Sequence, residues 1–170
     1  LAPYQKDRIR TFFDPTGDPL GRGYNVSQSI IAVGSGGIMG KGLGAGSQSQ
    51  LRFLPEARTD FIFASLGEEL GFIGVGTILT LLAIIWYRIM MLTRTTPDDF
   101  GIFMVMGFLT IHSLQSFINI GMNIGVLPVT GIVLPFVSYG GSAIIFTYFL
   151  LGIILSISRA SRVGEMMVIE

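Results

Sequence analysis

The chain alternates between polar, glycine-rich sequence and long apolar runs that contain almost no charge. Residues 101–158 contain no Asp, Glu, Lys or Arg, and residues 70–87 form a second uncharged run. About 20 consecutive apolar residues allow a helix to cross the hydrocarbon core of a membrane. The pattern therefore predicts transmembrane helices over 61–92, 100–122 and 142–158, with the longer run supplying two crossings and the connection between them.

The segments between these spans are rich in residues that form turns. Residues 1–60 are polar and glycine-rich, and the apolar stretch 28–40 is too short to span, which favours a short interfacial helix followed by a glycine loop. Residues 93–99 form a short polar connection. Asn, Gly and Pro residues interrupt the helix over 123–141, which predicts an outer or re-entrant loop, and 159–170 forms a polar tail.

Basic residues predict the orientation of the spans. They flank the spans at Arg88, Arg94, Arg159 and Arg162. These positions lie on one side of the predicted topology, which the positive-inside rule assigns to the cytoplasm. Residues 1–60 and 123–141 then face outside. The basic residues within 1–60 run against this rule, which suggests that they serve another purpose.

Composition agrees with a membrane protein and narrows the chemistry. Half of the residues are apolar and only 13% are charged, against roughly 25% in soluble domains. The formal net charge is zero, so nothing indicates a nucleic-acid partner. The chain has no cysteine and a single histidine, His112, so a thiolate or an all-histidine metal site is excluded. Mid-helix, His112 is expected to be hydrogen-bonded inside the bundle.

The loop that leads into the first span carries the most informative charges. Cations at Lys41, Arg52 and Arg58 surround carboxylates at Glu56 and Asp60. Thr59 and Asp60 could simply cap the helix, since helix N-termini favour polar caps and anions. Alternatively, Asp60 is a carboxylate at the membrane surface beside cations that bind a phosphate group, an arrangement that suits a lipid-phosphate substrate.

Several other polar residues have both a structural and a functional interpretation. Gln48 and Gln50 could bind sugar hydroxyls or only solvate the loop, and Glu56 could bind a divalent cation or form a surface salt bridge. Glu68 and Glu69 lie within the first span, where carboxylates are candidates for function or metal binding, or are structural.

Polar residues also surround the predicted helix break. Asn119, Asn123 and Ser138 fall near it, and Ser138 is a candidate to line a substrate cavity. Non-helical backbone at this depth is tolerated only inside protein or beside water.

Three blocks of sequence resemble a known family. GSGGIMGKGLGAGSQSQ, FLPEARTDFIFASLGEELGF and NIGMNIGVLPVTGIVLPFVSYGGSA resemble, in order and spacing, the signatures of the SEDS peptidoglycan glycosyltransferases. The GSGG and GSQSQ wording resembles the rod-shape (RodA-like) branch. Arg58 and Val133 depart from the family's usual His and Pro. The resemblance implies an all-α polytopic bundle of roughly ten transmembrane helices. This chain would supply its large outer loop and last three helices, with further spans expected before Leu1.

The resemblance also implies an activity, namely polymerisation of lipid II into glycan strands for cell-wall elongation. Asp60 matches the family's essential acid, with general base as its expected role. Lys41 is the first candidate to hold the diphosphate, followed by Arg52 and Arg58. A divalent cation, Mg or Mn, could assist, and no organic cofactor is expected. The implied partner is a class B penicillin-binding protein. The implied location is the bacterial cytoplasmic membrane, multi-pass among its lipids, with the active site outside.

Two other functions remain open at this point. Broken helices with intramembrane polar residues are typical of transporters, so a flippase for lipid-linked precursors is an alternative. The chain could also be a non-catalytic subunit of a cell-wall synthesis complex. Its first two spans would then dock the single helix of a class B penicillin-binding protein.

Overall fold

The computed structural model describes residues 22–47, 57–94, 96 and 98–168. Within them lie four helices: α1 (Arg22–Ser35), α2 (Ile62–Leu92), α3 (Asp99–Asn123) and α4 (Gly141–Val168). The last three are long and apolar enough to cross a membrane. The described part of the chain therefore confirms the predicted all-helical membrane fold. The predicted glycine loop follows α1, which begins earlier than the apolar pattern alone suggests.

The helix ends show how well local sequence defines each span. α2 and α3 begin and end within a residue or so of the ranges 61–92 and 100–122. α4 differs, because its helix continues past Ser158 into the stretch assigned to the tail. Residues 153–163 contain neither glycine nor proline, so nothing in the sequence ends the helix where the apolar run stops. The candidate membrane span itself ends at Arg159.

Both ends of α3 have recognisable caps. Asp98 is the N-cap residue, and its carboxylate accepts a hydrogen bond from the Gly101 N–H at 3.3 Å. At the other end, Gly125 has a φ of 76°, and the Val126 N–H donates to the Gly121 carbonyl at 2.8 Å. This is the Schellman arrangement that ends helices at a left-handed residue. It turns the chain into the irregular segment 124–140.

The apolar pattern predicted one continuous helix over 61–92, and this was wrong. α2 is interrupted at Gly71. That residue has φ 65° and ψ −166°, a conformation open essentially to glycine alone. The interruption frees the carbonyls of Glu68 and Glu69 from their helical partners. Those carbonyls accept hydrogen bonds from the backbone N–H groups of Lys41 and Gly42, at 2.9 and 3.0 Å.

The same loop also satisfies the far side of the interruption. The N–H groups of Phe72 and Ile73 donate to the carbonyls of Gly37 and Ile38, at 2.9 and 3.1 Å. Residues 37–42 thus occupy both sides of the gap in α2. Because unsatisfied backbone groups are costly in hydrocarbon, a break at this depth needs such an insertion.

Small residues allow α1 and the loop to approach α2 closely. A Cβ atom at Gly36 would overlap the carbonyl of Gly67, and one at Gly71 would overlap the backbone of Gly40. At Gly67, by contrast, an added Cβ would meet Val33 of α1 only at ordinary contact distance. Packing therefore requires glycine at positions 36 and 71, and conformation requires it at 71 as well.

Two apolar clusters define the two ends of the bundle. Ile89, Val105 and Ile154 pack together near the end of α2, the start of α3 and the end of the membrane span of α4. In a second cluster, Phe63 near the start of α2 packs with Leu134 of the irregular segment and with Leu82 farther along α2. The turn that precedes α2 and the irregular segment 124–140 therefore lie at the end of the bundle opposite the basic residues that flank the spans.

Replacing Gly71 by Ala should destabilise the full-length protein by roughly 1–3 kcal/mol from backbone strain alone. The added methyl would also displace the inserted loop. Gly76→Ala is the matched control on the same helix, since a Cβ there meets no atom within 4 Å. That control should raise stability by about 0.5–1 kcal/mol. Thermal unfolding of the two variants in detergent measures the difference, and equal melting temperatures would contradict this account of the break.

Candidate active site

The first candidate site is the turn of residues 57–60 immediately before α2. The N-cap position of that helix is Phe61, which makes no side-chain cap hydrogen bond. Thr59 and Asp60 precede that position, in the turn itself. Asp60 is half-buried, and its position depends on other parts of the chain.

Two amides at the end of α3 hold the backbone of Asp60. The Asn119 and Asn123 Nδ2 groups both donate to the Asp60 carbonyl, at 2.9 and 3.0 Å. Both asparagines are completely buried. Asn119 also donates to the Ile132 carbonyl at 2.7 Å, so it links the turn to the irregular segment after α3.

The preceding two carbonyls are held by the turn of residues 134–139. The Ser138 hydroxyl donates to the Thr59 carbonyl at 2.8 Å, and the Tyr139 N–H donates to the Arg58 carbonyl at 2.9 Å. Ser138 also accepts from the Leu134 N–H at 2.8 Å. Three successive carbonyls, those of residues 58–60, are thus fixed from outside their own segment.

The side chain of Asp60 lies against a residue that has no side chain. A Cβ atom at Gly131 would lie 3.4 Å from the Asp60 Oδ2 atom. Gly131 is exposed and has a φ of 74°. The carboxylate of Asp60 therefore lies beside the segment 124–140.

The turn that carries Ser138 contains a strained residue. Phe136 has a φ of 65°, which is unusual for a bulky side chain. Its ring packs edge-on against Tyr148 and lies near His112, with centroid separations of 6.0 and 6.2 Å. No signal in the sequence singled out Phe136. Strain of this kind persists only where the surrounding contacts fix it.

A second polar cluster lies at the interruption of α2. Lys41 Nζ is 2.8 Å from Glu68 Oε1, and the Ser47 hydroxyl donates to the same oxygen at 3.1 Å. The Glu68 side chain is fully buried, while that of Lys41 is 33% exposed. Lys41, predicted to contact a diphosphate, thus already neutralises a buried carboxylate. Glu68, predicted as a metal ligand or a structural residue, is one partner of an ion pair.

The remaining predicted site residues fall into two groups. Arg58 is exposed in the turn before α2, and Glu69 is half-buried two residues before the interruption at Gly71. Gln48, Gln50, Arg52 and Glu56 lie outside the described residues. Within the described ranges, no group of three or more His, Cys, Asp or Glu side chains could hold a metal ion.

A small cavity of about 60 Å³ lies beneath the 134–139 turn. It is lined by apolar side chains together with His112, Gln115, Ser138 and Thr147. His112 Nδ1 donates to the Phe108 carbonyl at 2.9 Å, which leaves Nε2 to accept from the Thr147 hydroxyl at 3.4 Å. His112 is therefore hydrogen-bonded inside the bundle, as the sequence predicted.

Fold and site together define a class of protein. Membrane-crossing helices, a backbone break at membrane depth and a carboxylate held in a turn between helices are features of a polytopic membrane protein with a polar site. The chain belongs to the family of cell cycle proteins that includes FtsW, RodA and SpoVE, whose model matches residues 1–163.

Curated relatives agree with this assignment. Stage V sporulation protein E of Bacillus subtilis is 46% identical over 161 residues, which cover 95% of this chain and 44% of that protein. Peptidoglycan glycosyltransferase MrdB of Escherichia coli (strain K12) is 49% identical, over 92% of this chain and 42% of that protein. A probable peptidoglycan glycosyltransferase FtsW of Geobacter metallireducens is 44% identical, over 94% and 42%.

A solved structure supports the fold. That structure is described as showing the structural coordination of polymerization and crosslinking by a peptidoglycan synthase complex. The match has a TM-score of 0.74 and 33% identity, and it covers 95% of this chain and 43% of the solved chain. The chain therefore spans less than half the length of the relatives that it matches.

Glu68 is fully buried and Lys41 is partly exposed, so removing each charge should lower the free energy of unfolding by a different amount. Lys41→Met removes the cation that lies 2.8 Å from the buried carboxylate of Glu68, for which we expect a loss of roughly 2–4 kcal/mol. Glu68→Gln keeps an oxygen at the pair, and Lys41 can turn to water, so its expected loss is about 1 kcal/mol or less. Thermal unfolding of the full-length variants measures both losses.

The double variant Lys41→Met/Glu68→Met is the control for this pair. It removes both charges and should recover most of the stability lost in Lys41→Met alone. If Glu68→Gln proves as damaging as Lys41→Met, or the double variant recovers nothing, burial of the carboxylate is not what makes the pair important.

Proposed function

We propose that this chain is part of a peptidoglycan glycosyltransferase that polymerises lipid II into glycan strands for cell-wall elongation and rod shape. The observation that carries the proposal is the turn at Asp60. Its carboxylate lies beside Gly131, while its backbone is fixed by buried amides of α3. Family membership adds the reaction class, since relatives named as peptidoglycan glycosyltransferases match the chain along most of its length.

In the proposed reaction, the 4-hydroxyl of the acceptor sugar attacks the anomeric carbon of the donor. Asp60 accepts the hydroxyl proton as the new C–O bond forms. The bond from the anomeric carbon to undecaprenyl pyrophosphate breaks, that group leaves with the bonding electron pair, and the anomeric configuration inverts. A positioned general base contributes roughly 10²–10⁴-fold to the rate of such a step.

The leaving diphosphate requires positive charge near it as the bond breaks. Arg58 is exposed two residues before Asp60, where it can meet an anionic group at the surface, whereas Lys41 is paired with Glu68 but still exposes a third of its side chain. Arg52 is the third candidate. A divalent cation would supply further charge, but the described residues do not assemble a metal site by themselves.

The arrangement of the bundle supports an outward-facing site. Arg88 and Arg94 lie at the end where α2 finishes and α3 starts, and Arg159 is the last residue of the membrane span of α4. That is the end opposite the Asp60 turn. Under the positive-inside rule, Asp60 faces the outside of the bacterial cytoplasmic membrane, where lipid II is presented for polymerisation.

The elongation branch and the partner are finer parts of the proposal. The named relatives include MrdB, FtsW and SpoVE at similar identity, so family membership alone does not choose between elongation, division and sporulation. The GSGG and GSQSQ motifs favour the rod-shape branch. The match to a solved chain from a peptidoglycan synthase complex favours a class B penicillin-binding protein as partner.

The second candidate function is a flippase for lipid-linked precursors. The interruption of α2 at Gly71 favours it, because transporter sites are often built around broken helices. Vesicles that contain labelled lipid II distinguish the two functions. Translocation without glycan product supports the flippase, and product without translocation supports the polymerase.

Asp60→Asn in the full-length protein should lower lipid II polymerisation by roughly 10²–10⁴-fold, because the amide cannot accept the hydroxyl proton. Quantitative gel analysis of glycan strands at equal protein level measures the loss. The matched control is Asp99→Asn, which removes an exposed carboxylate at the opposite end of the bundle and should keep activity within about twofold. Normal strand synthesis by the Asp60 variant would rule out the proposed base.

A further inference from the structure

The amide of Asn123 occupies a position that backbone atoms normally fill. In a continuing helix, the Ala64 N–H would donate to the carbonyl four residues earlier, that of Asp60. Here the Ala64 N–H donates to Asn123 Oδ1 at 3.1 Å, and the Asp60 carbonyl accepts from Asn123 Nδ2 at 3.0 Å. The side chain of Asn123 therefore inserts into what would be a hydrogen bond of the first turn of α2.

The hydrogen-bond network fixes the orientation of both asparagine amides. Each Nδ2 group has two protons to donate. Asn119 donates to Asp60 and Ile132, and Asn123 donates to Asp60 and to the Asn119 carbonyl at 2.8 Å. All these acceptors are carbonyl oxygens, so a flipped amide would place oxygen against oxygen.

Further contacts hold Asn123 itself in place. The hydroxyl of Ser29 on α1 donates to the Asn123 carbonyl at 2.7 Å, and its oxygen is 3.4 Å from Asn123 Oδ1. Ser29 and Asn123 are both completely buried. Burying an amide costs free energy unless its groups are paired, and here the Asn123 amide is paired with Asp60, Ala64 and Asn119.

We propose that Asn123, assisted by Asn119, is a positioning residue that keeps the first turn of α2 open at Asp60 and thereby directs the Asp60 carboxylate toward the segment at Gly131. The proposal rests on the proposed role of Asp60 as the base. Without the inserted amide, the Asp60 carbonyl and the Ala64 N–H can pair directly. α2 then starts one residue earlier, with Asp60 in place of Phe61 at the N-cap, and the carboxylate takes a different direction.

This account predicts a loss of activity without a comparable loss of folding. In Asn123→Leu, the two freed backbone groups pair with each other, so the melting temperature should stay within a few degrees of the parent. Misplacement of a catalytic group by about 1 Å can cost on the order of 100-fold in rate. We therefore expect kcat for lipid II polymerisation to fall by roughly 10–100-fold, with KM changed by less than about threefold.

Ser116→Ala is the matched control. Ser116 is buried on the same helix, and its hydroxyl donates to the carbonyl of His112 within α3. Its kcat, KM and melting temperature should match those of the parent protein. If Asn123→Leu does not accumulate in the membrane, Asn123→Thr replaces it under the same criteria.

A chemical measurement reports the position of residue 60 independently of activity. This chain contains no cysteine, so Asp60→Cys supplies a single thiol in a full-length background cleared of any other. Adding Asn123→Leu should change its labelling rate with a charged thiol reagent by about fivefold or more, as expected if the side chain moves between open and packed surroundings. A cysteine at Val126, which is 61% exposed, should label at the same rate in both backgrounds.

The outcomes separate this inference from the proposed function. Wild-type kcat in Asn123→Leu, or unchanged labelling of Cys at position 60, overturns the positioning role even if Asp60→Asn is inactive. A parallel fall in kcat, yield and melting temperature also overturns it, since that pattern belongs to a structural role. Activity retained in Asp60→Asn would instead overturn the base assignment on which the inference rests.

Discussion

Replacement of helical hydrogen bonds within α2 is the interaction on which the rest of the structure depends. A continuous helix would pair the N–H groups of residues 64, 72 and 73 with the carbonyls of residues 60, 68 and 69. Each of these groups instead pairs with an atom from outside the helix, either the Asn123 amide or the backbone of residues 37–42. In hydrocarbon, such a helix can open only where a foreign donor and acceptor replace the lost bond.

This constraint explains why amides and glycines, rather than charges, occupy the positions around the proposed site. An asparagine side chain carries a donor and an acceptor in the geometry of a peptide group, so it can stand in for one at Asp60. At Gly71 the replacement is made by backbone itself, which needs the chains to touch and therefore needs glycine at both faces. The Lys41–Glu68 pair adds a charge interaction across the same junction.

The spans were predictable from the sequence because their signal is local and one-dimensional. A long apolar run without charge indicates a membrane span by itself, and a cap such as Asp98 can be predicted from its neighbouring residues. The interruption of α2 was not predictable, because glycine is common in membrane helices and the partners of Gly71 lie some thirty residues earlier. The Lys41–Glu68 pair was missed for the same reason, although both residues had been singled out separately.

In the candidate site, too, features carried by local sequence could be predicted, and contacts between distant segments could not. Asp60 could be found because the sequence around it resembles a family signature and places a carboxylate before a membrane helix. The role of Asn119 and Asn123 could not, since their spacing of four residues indicates only a shared helix face. Ser138 shows the limit most clearly. It was expected at the substrate cavity, and it does line a cavity, yet its hydroxyl holds the Thr59 carbonyl.

The segment of α2 between its two openings is held at both ends, which has a consequence for how the site can work. Ile62–Leu70 is bounded by the Asn123 insertion on one side and by the inserted loop on the other. Any tilt of this short helix would have to break hydrogen bonds at both junctions in a medium that offers no replacement. The proposed base therefore belongs to the rigid part of the protein. Motions that admit two lipid substrates and release a growing strand must then come from elements that are not tied to these junctions, so that the carboxylate keeps its place while the groove around it changes.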